Sequence, residues 1–315
     1  LVSTPAMFMS ILFDETKADG AVMITASHLP YNRNGMKFFT EKGGLEASDI
    51  KTVLSYAAKT PVLKKGEKEA TAFDLISLYA SHLQKKIRAG LSAAPEAKPL
   101  SGMRIAVDAG NGSGGFFASK VLAPLGADTT GSRYLDPDGM FPNHIPNPEN
   151  KEAMEAARRA TVEAGADLGL IFDTDVDRMS AVLHTGAEVN RDAIIAMISA
   201  ILAPSYPGGT IVTDSVTSDR LTYFLEKVLG LRHLRYMRGY KNVINKCKEL
   251  NAQGIVSPLA METSGHGALK DNYYLDDGAF LAVKLVTALA NAKHAGKNIE
   301  SLIEKLPPMV EEIEL

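Results

Sequence analysis

Short β-branched runs alternate along this chain with longer amphipathic runs, a pattern that predicts an α/β protein. Strands are expected at 21–25, 104–108, 168–172, 210–213 and 255–259. Helices are expected at 73–88, 151–163, 191–203, 218–229 and 277–293. Two of these carry clear start signals: Asn150 precedes an acidic first turn, and Asp276-Asp277 precedes an apolar-periodic run.

Two proline-bearing stretches, Leu91 to Leu100 and Ala203 to Gly209, each stand just before an expected strand and read as linkers. They divide the chain into 1–95, 96–205 and 206–315. The pieces repeat one another. Arg104 to Asp108 is followed by a loop, a helix and Leu125-Gly126, and Thr210 to Asp214 by a loop, a helix and Leu229-Gly230. Each piece also holds small residues, then a strand, then a polar loop: to Ser27-His28, to Asp173-Thr174-Asp175, and to Glu262-Thr263-Ser264. Loops at the carboxyl ends of α/β strands form ligand crevices, so three related units are expected to contribute one polar loop each to a shared cleft.

Composition narrows the classes. The chain has 315 residues, 45% of them hydrophobic and 23% charged, ordinary values for a globular protein. With 34 Lys+Arg against 37 Asp+Glu, it lacks the basic excess of a duplex-binding protein, and no nucleic-acid partner is expected. No apolar run approaches the length of a membrane span, so no membrane partner is expected either; the stretch from Ala279 to Val286 is broken by Lys284. The single cysteine, Cys247, excludes an internal disulfide and reads as a lone thiol in a helical-looking stretch. No signal peptide is visible, which points to a cytoplasmic location; because the chain starts at Leu1, an organellar one stays open.

The second polar loop, Asp173-Thr174-Asp175-Val176-Asp177-Arg178, has the most specific chemistry. Alternation in an extended loop aims Asp173, Asp175 and Asp177 to one side, and three hard oxygens there suit Mg²⁺. The glycine and later Glu of an EF-hand are misplaced, and the plainer reading is a solvated acidic turn. The first loop, Thr25 to Pro30 with Asn34-Gly35 and Lys37 beyond it, offers Ser27 beside His28. Adjacent residues rarely form a Ser–His hydrogen bond, and G-x-S-x-G spacing is lacking, so a hydrolase triad is disfavoured. A Ser27 that holds a phosphoryl group near a metal and Lys37 fits better; the alternative is an ordinary strand-end turn. The third loop, Glu262 to His266, could recognise vicinal sugar hydroxyls or be a polar turn.

Two further segments have two readings each. Gly110 to Gly115 matches G-x-G-x-x-G after a strand, with Asp128 nearby, but a tight structural turn is preferred over a dinucleotide site. Arg238-Gly239-Tyr240-Lys241 could present a cation to a phosphate or be a surface basic turn.

Taken together, Thr25-Ala26-Ser27-His28-Leu29-Pro30 with Asn34-Gly35-Met36-Lys37, Asp173 to Arg178, and Glu262 to His266 resemble the phosphoserine, metal and sugar-binding loops of the α-D-phosphohexomutase family, the phosphoglucomutase and phosphomannomutase type. They stand in family order, one per unit. Tyr240-Lys241 and Leu275-Asp276-Asp277-Gly278 resemble its third domain. Leu29, Thr174 and Met261 depart from the usual Asn, Gly and Gly. The resemblance implies three tandem related mixed-sheet α/β domains over 1–95, 96–205 and 206–315, the first partial, and a family plan whose fourth, phosphate-gripping domain is not in this sequence.

The resemblance also implies an intramolecular phosphotransferase that interconverts hexose 1-phosphate and hexose 6-phosphate through a phosphoserine and a bisphosphate. Ser27 would carry the phosphoryl group; Asp173, Asp175, Asp177 and a phosphoserine oxygen would bind Mg²⁺. Arg178 would orient phosphoryl oxygens, and Lys37 and His28 would handle protons. Glu262 and Ser264 would hold sugar hydroxyls, with Tyr240, Lys241 and His266 lining the cleft. Hexose 1,6-bisphosphate is expected as activator, and a monomer or homodimer as the assembly. The competing expectation is a non-catalytic sugar-phosphate binder or scaffold of the same fold; an NAD-dependent oxidoreductase, resting on the glycine turn alone, is more distant.

Overall fold

A computed structural model describes residues 1–60 and 70–309. Among the described residues, three separate sheets follow one another along the chain. The first is antiparallel: β1 (Ala21–Ile24), β2 (Met36–Thr40) and β3 (Gly43–Gly44) in that order. The second, in the order β4-β5-β6-β7, comprises β4 (Ile105–Asp108), β5 (Leu168–Phe172), β6 (Met179–Leu183) and β7 (Glu188–Val189). β4 and β5 run parallel, and β6 and β7 are antiparallel additions. The third, in the order β11-β10-β8-β9, comprises β8 (Thr210–Asp214), β9 (Arg232–Tyr236), β10 (Leu259–Met261) and β11 (Gly267–Leu269). β8 pairs parallel with both β9 and β10, and β11 is antiparallel to β10. Three tandem related mixed α/β units are therefore present, as the repeated pattern implied.

The helices are α1 (Thr4–Met9), α2 (Ala47–Lys59), α3 (Leu75–Gly90), α4 (Lys151–Glu163), α5 (Arg191–Leu202), α6 (Asp219–Tyr223), α7 (Tyr240–Ala252) and α8 (Gly278–His294). Ser3 caps α1 by accepting from the Ala6 N–H, with Pro5 in the first turn, where its missing donor costs nothing. Asn150 caps α4 through the N–H groups of Glu152 and Ala153. The repeat is visible in the fold. After β4 and after β8 a π-helical stretch follows, at Phe117–Leu122 and Phe224–Val228. Gly126 and Gly230 then close each unit in the left-handed conformation (φ 95° and 67°), which glycine adopts without strain.

β5 is buried along its whole length, the signature of a central strand covered on both faces. α4 packs on one face, so closely that a Cβ on Gly169 would fall 1.9 Å from Thr161 Oγ1. The π-helical stretch Phe117–Leu122 and α8 cover the other face, and Phe117 meets Phe172 edge to face at 5.3 Å. α8 thus follows the third sheet in sequence but packs on the second. α3 packs on α8, on the Phe117–Leu122 stretch and on α1, joining the first unit to the others through one continuous core.

Most expected elements lie within two or three residues of the observed ones. The strand expected at 255–259 is displaced to 259–261, because Ile255 and Val256 are exposed and Pro258, which lacks an N–H, precedes the paired residues. The helix expected at 218–229 is α6 continued by the π-helical stretch. The segment around Cys247 is helical, within α7. Among the described residues, no helix is long and apolar enough to cross a membrane.

Candidate active site

The three polar loops converge. Ser27 follows β1 at φ 51°, a left-handed conformation unusual for a residue with a Cβ. This turn carries Ser27 Oγ to 3.3 Å from Asp173 Oδ2, on the loop after β5, across 146 residues of sequence. Arg178 Nη2 donates to Ser27 Oγ at 3.2 Å and to His28 Nδ1 at 2.6 Å. Ser27 Oγ and His28 Nδ1 also approach to 3.3 Å, a contact disfavoured by sequence adjacency and made possible by the left-handed turn. Because Arg178 donates to the same Nδ1, that lone pair is shared, and His28 is the neutral tautomer protonated at Nε2. Burial and the Arg178 charge hold its pKa below the ordinary histidine value.

Asp173, Asp175 and Asp177 are all buried, and ligand oxygens from the three lie within 4.8 Å of one another. The loop that carries them is held by backbone bonds from every unit. Thr4 N–H donates to Asp175 O at 2.9 Å, Ser113 N–H to Thr174 O at 2.7 Å, and Gly278 N–H to Val176 O at 3.0 Å. Val176, β-branched yet at φ 67°, is the strained point of the loop. The glycine run is thereby explained as a structural turn: Gly112 lies so close to Thr174 that a Cβ would fall 2.7 Å from its Cα.

Three buried carboxylates repel one another. Burial and then the charges of Asp177 and Asp175 push the Asp173 pKa well above its ordinary value. Lys37, from β2, answers part of that charge by donating to Asp175 Oδ2 at 2.8 Å and Asp177 Oδ2 at 2.5 Å. Burial works against the Lys37 ammonium, but Asp177 and Asp175 outweigh it and raise its pKa. Thr4 Oγ1 adds a hydrogen bond to Asp175 Oδ2 at 2.5 Å. Asp175 Oδ1 and Asp177 Oδ1 remain buried without a hydrogen-bond partner among the described residues. Unsatisfied buried carboxylate oxygens are costly. A hard divalent cation fits this donor set.

The third loop completes the wall. Met179 N–H donates to Gly265 O at 3.2 Å, tying this loop to the end of the acidic one. His266 Nδ1 pairs with Asp276 Oδ2 at 2.6 Å and lies 3.8 Å from Asp177 Oδ1. Burial lowers its pKa, but Asp276 and Asp177 outweigh this and raise it to about 9. Tyr240 stacks on the His266 ring, with centroids 5.0 Å apart and planes 21° off parallel. Glu262 is buried and accepts from Gly239 N–H at 2.6 Å. Ser264 Oγ is buried and has no partner among the described residues. Lys241 lines a cavity together with Lys37, Asp177 and Tyr240; its ammonium donates to Leu45 O and lies 3.5 Å from Glu46, both in the first unit.

Several contributors escape a reading of motifs. Thr4 sits in an ordinary helix start. Asn147 and Glu149 lie in the proline-rich loop before α4, where Asn147 Oδ1 accepts from Arg178 Nη1 at 3.1 Å. Gly278 lies so close to the acidic loop that a Cβ would fall 2.7 Å from Arg178 O. Only Gly278 had a local signal, the Asp-Asp-Gly before the α8 run.

Three family models match this chain: phosphoglucomutase/phosphomannomutase alpha/beta/alpha domain I over residues 1–60, domain II over 77–186 and domain III over 190–310. A phosphomannomutase/phosphoglucomutase of Pseudomonas putida is 30% identical over 300 residues, covering 95% of this chain and 60% of that protein. A phosphoglucosamine mutase of Lactobacillus johnsonii is 32% identical over 307 residues, covering 96% and 64%. The chain thus spans less than two thirds of the length of these relatives. Among solved structures, a phosphoglucomutase/phosphomannomutase family protein of Burkholderia thailandensis superimposes with a TM-score of 0.79 at 25% identity, covering 98% of this chain and 64% of that one.

Proposed function

This chain belongs to the phosphoglucomutase/phosphomannomutase family, and from that premise we propose that it performs the phosphoryl transfer of a phosphohexomutase, interconverting hexose 1- and 6-phosphates through a phosphorylated Ser27. The observation that carries the reading is the meeting of Ser27 Oγ with Asp173 Oδ2 at 3.3 Å and Arg178 Nη2 at 3.2 Å. A hydroxyl beside three acidic side chains and a guanidinium suits a phosphoryl group flanked by a cation site and an oxyanion fork.

Asp173, Asp175 and Asp177 would hold Mg²⁺, which when bound supplies Lewis-acid polarisation of a phosphoryl oxygen. The chain's own residues do the rest. Arg178 aims Nη2 at the oxygen of Ser27 and orients phosphoryl oxygens there. His28, neutral and next to Ser27, would take a proton at Nδ1 once phosphoryl oxygens draw Arg178 Nη2 off that lone pair, while Lys37 supplies positive charge against the acidic loop. Glu262 and Ser264 accept and donate to sugar hydroxyls, and the stacked Tyr240 and His266 form a flat wall beside them. Turnover of a bisphosphate in the cleft would return the second phosphate to Ser27, with hexose 1,6-bisphosphate as activator. Glucose, mannose and glucosamine phosphates all belong to the substrate class.

The test is phosphoryl uptake by the purified chain from glucose 1,6-bisphosphate with Mg²⁺, read by intact mass and peptide mapping. One phosphoryl group on Ser27, absent in Ser27→Ala, is the expected result. Equal uptake by Ser27→Ala would overturn the phosphoserine role. Stable sugar-phosphate binding with no uptake would favour the non-catalytic binder.

A further inference from the structure

Arg178 is held on three sides, and one of those sides belongs to no motif. Its Nε donates to Asp173 Oδ2 at 3.1 Å, its Nη2 to Ser27 and His28, and its Nη1 to Asn147 Oδ1 at 3.1 Å, with Glu149 Oε2 3.9 Å away. A guanidinium is planar, so fixing Nε and Nη1 fixes the direction of Nη2. The acidic loop provides the first anchor. The second comes from the loop before α4.

That loop is built to be stiff. Asn147 Oδ1 also accepts from Glu149 N–H at 3.0 Å, closing an Asx turn that holds its own side chain in place. Its N–H donates to Ile145 O at 2.8 Å, and Asn150 N–H to Asn147 O at 2.8 Å. One end is the cap of α4. The other end is pinned by His144, whose Nε2 lies 3.0 Å from Asp108 Oδ1 at the end of β4, both side chains being buried. His144 Nδ1 faces Ile145 O at 3.0 Å. With acceptors at both ring nitrogens, the imidazole is the doubly protonated cation, paired to Asp108. Pro146 lies against Gly110, where a Cβ would fall 2.8 Å from the proline ring. Asn143 Nδ2 donates to Asn111 Oδ1 at 2.7 Å.

We propose that Asn147 is a positioning residue for Arg178, and that the 143–150 loop, anchored to the end of β4 through the Asp108–His144 pair, aims the guanidinium at the Ser27 oxygen. The functional consequence rests on the phosphoryl-transfer reading above; the positional claim does not. Without Asn147 the guanidinium keeps its Asp173 anchor and its contacts with Ser27 and His28 but loses the hydrogen bond that fixes Nη1, so it can turn about its last torsions. A misplacement of about 1 Å can cost roughly 100-fold in rate when the group stabilises a transferring phosphoryl.

The experiment compares the unaltered chain with Asn147→Ala and Asn147→Asp, the latter retaining an acceptor oxygen and the Asx turn. ¹⁵N-arginine spectra report exchange of the Arg178 guanidinium protons, and uptake from glucose 1,6-bisphosphate reports function. Faster guanidinium exchange in Asn147→Ala is expected, with unchanged melting temperature and exchange restored in Asn147→Asp. Uptake by Asn147→Ala should fall about 10- to 100-fold at saturating bisphosphate, with half-saturation little changed, and recover in Asn147→Asp. Unchanged exchange in Asn147→Ala would overturn the proposal, as would wild-type uptake. If the unaltered chain takes up no phosphoryl group, the mutase reading fails and the exchange data alone decide the positional claim.

Discussion

Lys37 Nζ lies 2.8 Å from Asp175 Oδ2, bringing a strand of the first sheet onto the loop that leaves the second. The same ammonium donates to Asp177 Oδ2. It therefore occupies, as a tethered cation, part of the negative field that suits a divalent ion. The two cations compete for the same oxygens. Lys37→Met is expected to bind Mg²⁺ about 10-fold more tightly by calorimetry, while its metal-free form melts at a lower temperature. Weaker Mg²⁺ binding would show that Lys37 organises the carboxylates rather than competing for them.

Gly278 opens α8 directly beneath the acidic loop, its N–H bonded to Val176 O and its Cα face 2.7 Å, at Cβ distance, from Arg178 O. Backbone on both sides leaves a methyl group nowhere to go. Gly278→Ala should cost about 1–3 kcal/mol of stability and weaken Mg²⁺ binding, because the loop must shift to admit it. Wild-type values for both in denaturant titration and calorimetry would refute the close fit.

Asp277 caps α8 and accepts from Tyr79 Oη, at 2.7 Å to each carboxylate oxygen, and from Asn272 Nδ2 at 2.9 Å. Burial outweighs these bonds and raises its pKa from 3.8 to about 6. The folded state therefore binds a proton that the unfolded chain has already released between these values. The contribution of this group is fully present below pH 3.8 and is lost as pH rises through about 6. Relative to Asp277→Asn, the unaltered chain should lose about 2 kcal/mol between pH 4 and pH 7. A flat difference between the two denaturation profiles over that range would contradict the shift.

Cys247 is fully buried in α7, with Sγ 3.3 Å from Ser257 O, and burial pushes its thiol up to about 11. Thiolate is the reactive form, so the native protein should be inert to a disulfide exchange reagent that titrates one thiol in denaturant. Rapid native reaction would mean that α7 opens far more readily than its packing indicates.

What the sequence determined by itself was local chemistry and its order. Alternating aspartates after an apolar strand, a serine at a strand end with a lysine beyond it, and Glu262 to His266 are patterns set by near neighbours, and the repeat of strand, Asp, helix and Leu-Gly exposed the tandem architecture. Antiparallel β7 and β11, of two and three residues, were less legible because they are short, as was the strand start at Leu259, set by Pro258 and by pairing with β8. Tertiary structure alone decided which side chains meet. Thr4 and Lys37 reach the acidic loop across 171 and 138 residues, Asn147 reaches Arg178 from a loop with no recognisable motif, and Lys241 turns toward the first unit. Such contacts depend on how sheets and helices pack, as when α8 touches Gly267 of β11 through Leu281 and also covers β5 and β6 of the second sheet. No local propensity encodes that choice, because it is made by the burial of whole faces rather than by any single residue.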